Sequence, residues 1–201
     1  GPDVCVDFIE KFLEANKDES FFVYYPMILP HCPFVPTPGT PDYDPNSLGS
    51  PTYKGDAKYF KNMVEHVDQL VGRIASEVDE LGLSENTLIV FTGDNGTDVP
   101  VVTSLNGKSV AGGKGKANHD SGVRTPFFVT MPGTVQAGKV SDELVDFADL
   151  LPTFCELAKI DTSENKNLDG VSLLPTLIGK GARKKPWSYL FYSRNDATQP
   201  A

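Results

Sequence analysis

Cysteine is scarce in this chain: three in 201 residues, at positions 5, 32 and 155, with no C-x-x-C spacing. That argues against a cysteine-based zinc site and a dense disulfide framework, and the odd count leaves at least one thiol unpaired within the chain. Basic residues are also few, 18 Lys and Arg against 27 Asp and Glu, for a net charge of −9. No basic run interleaves with aromatics, so the surface as a whole does not suit nucleic acid or an anionic membrane. A local site for a small anion is compatible with this balance. No stretch reaches the ~18 apolar residues that span a bilayer. The opening, "GPDVCVDFIEKF", has no signal-peptide pattern and reads as mid-domain sequence.

What is present is ordinary for a folded protein: 39% hydrophobic and 10% aromatic residues. The length allows one domain with a sizeable core, or a large piece of a bigger one. Residues 3–17 place Val4, Val6, Phe8, Ile9, Phe12 and Leu13 mostly on one helical face. "FFVYYP" at 21–26 predicts a buried strand ended by proline. From Pro26 to Gly55 there are eight prolines, which exclude helix and central strand and point to a functional loop.

Residues 56–81 give the clearest helix. Phe60, Met63, Val64, Val67, Leu70, Val71, Ile74, Val78 and Leu81 form a stripe of 3.6 periodicity, with Gly82 where a C-cap belongs. His66 lies beside that stripe and reads as structural. "TLIVFTG" predicts a second buried strand, 93–125 a glycine-rich polar loop, "PFFVTMPG" a third strand, "FADLLPTFCELAKI" a helix and "PWSYLFYS" a last strand. Helices alternating with apolar strands predict an α/β fold with a largely parallel sheet covered on both faces.

In such folds ligands collect beyond the carboxyl ends of the strands. Three segments bring polar groups there: "LPHCPFVP" with His31, "TGDNG" with Asp94 and Asn95, and "GGKGKANHDSGVRTP" with Lys114. A carboxylate beside a carboxamide suits a hard cation such as calcium or magnesium; the alternative is an Asx turn, in which both side chains bond nearby backbone. Lys114, between Gly113 and Gly115, can meet an anion as a point charge, or be a solvated loop lysine. His31, held between prolines, can donate to an anion or act as a general acid, or simply lie at the surface.

The order of these segments resembles the latter part of a type I sulfatase, the formylglycine-dependent arylsulfatase family within the alkaline phosphatase superfamily. The likeness is carried by "FFVYYPMILPHCPFVPT", "VDQLVGRIASEVDELGLSENTLIVFTGDNG", "GGKGKANHDSGVRTPFFVTMPG" and "LDGVSLLPTLIG". It implies an alkaline phosphatase-like fold, a calcium ion (Ca2+) held by Asp94 and Asn95, and a sulfate bound by Lys114 and contacted by His31. It also implies a sulfated small molecule or sulfated carbohydrate as substrate, and an exported parent protein, periplasmic or secreted. One departure is "KANHDSG", which stands where the family more often has an acidic residue and two glycines before Arg-x-Pro.

The family makes its formylglycine from Cys or Ser in a C/S-x-P-x-R motif. Cys5, Cys32 and Cys155 lack that context, and no serine has proline two residues on. The family's early aspartate pair, lysine and histidine are missing as well. The expectation is a partial sulfatase catalytic domain over 1–201, without the nucleophile segment and most of the small C-terminal sheet domain, and inactive alone. The alternatives are a phosphate or phosphonate ester hydrolase of the same superfamily, or a non-catalytic truncated binding module.

Overall fold

The computed structural model describes residues 1–116, 119–165 and 167–188. In chain order these form α1 (Pro2–Ala15), α2 (Phe60–Glu80), β1 (Ile89–Thr92), β2 (Val102–Leu105), β3 (Lys108–Ala111), α3 (Asp120–Val123), β4 (Phe127–Thr130), α4 (Leu150–Leu157) and α5 (Leu174–Leu177). The chain divides into two compact units. The first comprises Gly1–Thr87 and Thr92–Phe127, the second Leu88–Phe91 with the described part of Phe128–Ala201.

In the first unit the apolar stripes of the two long helices meet. Val6, Ile9 and Leu13 of α1 are buried, as are Met63, Val67, Leu70 and Val78 of α2. Polar groups fix their register at the margin. Arg73 of α2 reaches Asp7 and Glu10 of α1, each at 2.6 Å, and His66 lies 3.3 Å from Asp3. His66 is buried, in keeping with a structural role.

Within the proline-rich segment 26–55, the stretch from Phe34 to Gly55 closes into a loop. Phe34 N–H donates to the Lys54 carbonyl at 2.8 Å, and Asp56 N–H donates to the Phe34 carbonyl at 3.0 Å. Phe34 then plugs a small core with Cys32, Met63 and Val101 and meets the Phe60 ring edge-to-face at 5.7 Å. Gly55 makes this closure possible. Its φ is +67°, and a Cβ there would stand 2.2 Å from the Phe34 carbonyl oxygen.

The second unit is organised by a buried ion pair. Arg183 Nε donates to Asp149 Oδ2 at 2.7 Å, and Asp149 is fully buried. Asp149 also accepts the amides of Asp146 and Val171, at 3.0 and 2.8 Å. Arg183 Nη1 donates to the carbonyls of Lys185 and Trp187. A carboxylate and a guanidinium this deep are tolerable because nearly all of their hydrogen-bonding capacity is used.

The largely parallel sheet is where the structure departs from expectation. Among the described residues the strands form two two-stranded sheets, β1 with β4 and β2 with β3. β1 and β4 are the second and third expected strands. Residues 21–26 are irregular instead, with Phe22 and Tyr24 70% and 80% exposed. An apolar run becomes a strand only where another backbone offers it a ladder, and none does so among the described residues. The glycine-rich stretch 93–125 contains an antiparallel hairpin where a loop was expected, Val102 opposite Ala111 and Leu105 opposite Lys108. It turns on Asn106 and Gly107, both at positive φ, which is the two-residue Asn-Gly turn matched to strand twist. The strand expected over 186–193 lies largely outside the described residues. No described helix is long and apolar enough to cross a membrane.

Candidate functional site

Asp94 and Asn95 follow the carboxyl end of β1. Thr92 Oγ1 donates to the Pro126 carbonyl at 2.9 Å, and Gly96 N–H donates to the Gly122 carbonyl at 2.9 Å. The two residues are thus clamped on both sides by the segment that leads into β4. Asp94 is exposed and Asn95 half-buried. Neither side chain makes a hydrogen bond with any described residue, so the Asx-turn alternative is not what the fold adopts, and the oxygens remain available.

Lys114 is tied to the same loop. The amides of Gly113 and Lys114 both donate to the Thr97 carbonyl at 2.9 Å, three residues from Asp94. Close approach is the reason for the glycines. A Cβ on Gly96 would stand 2.0 Å from the Ser121 carbonyl, and one on Gly113 would stand 2.2 Å from Ser121 Oγ. The Lys114 ammonium has no ion-pair partner among the described residues.

His31 is exposed, and its Nδ1 lies 2.6 Å from the Cys32 carbonyl. An oxygen acceptor requires Nδ1 to carry the proton, so Nε2 is left as the acceptor of the neutral ring. The connection to the other residues runs through its neighbour. Cys32 is buried and packs in one small core with Val101, three residues from Asp98. The Asp94–Asp98 and Gly113–Lys114 segments thus meet on one stretch of backbone, and the segment around His31 approaches it directly only through Cys32 and Val101.

Two groups at this junction escaped the sequence reading. Asp98 pairs with Lys54, and its Oδ1 also accepts the Val99 amide at 2.8 Å. Burial pushes the Asp98 carboxyl up, but the Lys54 and Val99 bonds outweigh it and hold it below the usual range. Lys54 is raised in turn by its bond to Asp98. Arg124 is the second group. It lines a cavity of about 160 Å³ with Asn95, Gly96, Thr97 and Ser121, and among the described residues its side chain has only a long 3.9 Å ion pair, to Asp120. Asp94, Lys114 and His31 are not in that lining. The Arg-x-Pro after the glycine-rich run was its signal in the sequence.

Two adjacent oxygen donors are the right chemistry for a hard cation. Their number is not: calcium takes about 6–8 oxygens, and no cluster of three acidic, His or Cys side chains suited to a metal occurs among the described residues. The described residues do not by themselves fit a complete calcium site.

The sequence matches the family described as Sulfatase over residues 2–160. It is 31% identical over 195 residues to N-acetylgalactosamine-6-sulfatase of Canis lupus familiaris, covering 96% of this chain and 34% of that protein. It is 36% identical over 143 residues to human steryl-sulfatase, covering 68% of this chain and 24% of that protein. The crystal structure of Ps i-CgsB is similar with a TM-score of 0.69 at 29% identity, over 90% of this chain and 39% of that one. The chain spans about a third of the length of the curated relatives it matches. Its solved neighbours are sulfatases of the alkaline phosphatase-like fold, and the chain belongs to the type I sulfatase family.

Proposed function

We propose that this chain forms the sulfate-holding half of a sulfatase that hydrolyses sulfate esters of carbohydrates, the nucleophile lying on additional polypeptide. The observation that carries this is the Thr97 carbonyl. It fastens Lys114 to the Asp94–Asn95 loop while leaving the ammonium, carboxylate and carboxamide without partners among the described residues. Asp94 is exposed and Asn95 and Lys114 are half-buried, so water serves these groups in the free chain and a ligand can take its place.

In this reading Lys114 neutralises charge on the sulfate oxygens, and Arg124 adds a second positive group beside Asn95. His31, with Nδ1–H committed to the Cys32 carbonyl, presents Nε2 to the ester oxygen; as the imidazolium it carries a second proton on Nε2, which it can pass to that oxygen as the alcohol departs, returning to the neutral ring. Asp94 and Asn95 supply part of a calcium site whose remaining oxygens come from elsewhere. When bound, calcium would supply positive charge to the site. The covalent route needs a formylglycine made from a C/S-x-P-x-R motif. A carbohydrate substrate is supported by the name of the N-acetylgalactosamine-6-sulfatase relative, and by a structure of Ps i-CgsB with k-i-k-neocarrahexaose bound.

The test is an amide NMR titration of the 201-residue chain with inorganic sulfate. Shifts are expected at Gly113, Lys114 and Asn95, and Lys114→Ala should abolish them. Shifts that survive Lys114→Ala would place the anion elsewhere and overturn the proposal.

A further inference from the structure

Lys54 is none of the residues proposed to meet sulfate or metal, yet it bonds to two of the segments that carry them. Its carbonyl accepts the Phe34 N–H at 2.8 Å, three residues after His31. Its ammonium pairs with Asp98, which adjoins Thr97, and the Thr97 carbonyl holds the Gly113 and Lys114 amides at 2.9 Å. One residue therefore connects the backbone that carries His31 to the junction that carries Lys114. Both ends of this connection are fixed. Gly55, next to Lys54, lies at φ +67° and so close to Phe34 that a Cβ would stand 2.2 Å from the Phe34 carbonyl oxygen. At the other end Asp98 Oδ1 accepts the Val99 amide at 2.8 Å, and the Asp98 carbonyl accepts the Val101 amide at 3.1 Å. Gly112 backs onto the same carbonyl, where a Cβ would stand 2.0 Å away.

We infer that Lys54 is a positioning residue: through its bonds to Phe34 and Asp98 it sets how His31 stands relative to Lys114, so that both meet one sulfate ester. This rests on the sulfatase reading above and adds what aligns its two halves. Groups contributed by separate segments must be held to within about 0.5 Å to act on one ligand. The direct contact between these segments, Cys32 with Val101, is apolar packing and sets no direction. A charge-assisted hydrogen bond does set one. Lys54 acts at one remove, because its ammonium is committed to Asp98. Its side chain is 49% exposed, and ion pairs so open to water add little to overall stability. Alignment and folding can therefore be separated by experiment.

The same titration of the 201-residue chain with inorganic sulfate tests it, read at the His31 ring Cε1 proton and the Lys114 amide. In the parent both signals should move together. In Lys54→Met the Lys114 amide should still move at saturating sulfate and the His31 proton should not, with affinity lowered about fivefold. Lys54→Arg should keep the parent response, since a guanidinium also pairs with a carboxylate. Asp98→Asn should lose it as Lys54→Met does, although removing a negative charge by itself favours an anion. The double variant should bind no more weakly than either single one, because the two residues form one contact. A His31 proton unmoved in the parent, or one that still responds in both single variants, overturns the inference. So does tighter sulfate binding by Asp98→Asn, which would make the released Lys54 ammonium a sulfate ligand. Failure of the sulfatase reading shows differently, as sulfate shifts that survive Lys114→Ala while Lys54 is intact.

Discussion

The amide of Lys114 donates to the carbonyl of Thr97 at 2.9 Å, so the proposed sulfate-binding lysine and the proposed metal-binding pair share one backbone junction. The junction depends on glycine at positions where packing, not turn conformation, forbids a side chain. Its geometry can therefore be tested without a substrate.

Gly96→Ala places a methyl group 2.0 Å from the Ser121 carbonyl, against backbone that cannot rotate away. The expected loss is about 1–3 kcal/mol or more, the range of overpacked sites, together with displacement of the Asp94–Asn95 loop. Gly72→Ala is the contrasting case. Gly72 lies in α2 with open space where an alanine methyl would stand, so alanine should stabilise by about 0.5–1 kcal/mol. Urea unfolding of both variants measures this; a stabilised Gly96→Ala would mean that the Asp94–Asn95 loop does not pack on Ser121 and Gly122 as described.

In the second unit, Asp149→Asn leaves the buried Arg183 guanidinium without its counter-charge. Breaking one partner of a buried pair costs about 3–5 kcal/mol. Replacing both residues by apolar ones would not restore stability here, because Asp149 also accepts the Asp146 and Val171 amides. A double-mutant cycle with Arg183→Met, read by thermal unfolding, checks both statements. Full recovery in an Asp149→Leu/Arg183→Met chain would show that those two amides contribute little.

The Lys54–Asp98 pair sets a pH dependence. Asp98 is held below its ordinary 3.8, so the stability it adds is complete above that value and disappears as the pH falls through the lower folded one. Lys54 is raised above 10.5, so its share is complete below that value and is lost only as the pH rises through the higher folded one. Across the neutral range both contributions are in place. Asp98→Asn should be less stable than the parent at pH ~6. The gap in urea midpoints should close as the pH drops below 3.8. A gap that stays constant would assign the difference to something other than this carboxylate.

The parts of the molecule legible in the sequence are those whose cause is local. The α2 stripe from Phe60 to Val78 is a periodicity, and it locates both the helix and its buried face. The Asp94–Asn95 pair was visible because an apolar strand stops beside it. Strand formation at 21–26 was not legible in the same way: "FFVYY" shows that the segment favours burial, but the ladder that would make it a strand belongs to other residues. The β2–β3 hairpin was missed although Asn106-Gly107 announces it, since its flanking residues are exposed and lack a strong apolar alternation. Asp149 and Arg183 lie 34 residues apart, and no periodicity connects them. Asp98 was passed over because its partner Lys54 lies 44 residues away, on the far side of α2 in the sequence.

Catalysis by the chain alone provides the last prediction. In the proposed reading Lys114 and Arg124 would hold a sulfate and His31, as the imidazolium, would protonate an alcohol, but none of them replaces a formylglycine as nucleophile. Attack would be left to water, without the covalent intermediate that divides one difficult step into two. The 201-residue chain is therefore expected not to hydrolyse 4-nitrophenyl sulfate, with or without added calcium and a formylglycine-generating enzyme. A longer polypeptide carrying a C/S-x-P-x-R motif upstream should do so, and should lose most of that activity on Lys114→Ala. Turnover by the short chain, lost on Lys114→Ala, would mean that a group within it serves as nucleophile. If the longer polypeptide cleaved 4-nitrophenyl phosphate and left the sulfate intact, the same junction would serve phosphoryl transfer, and Lys114 would be neutralising a phosphate.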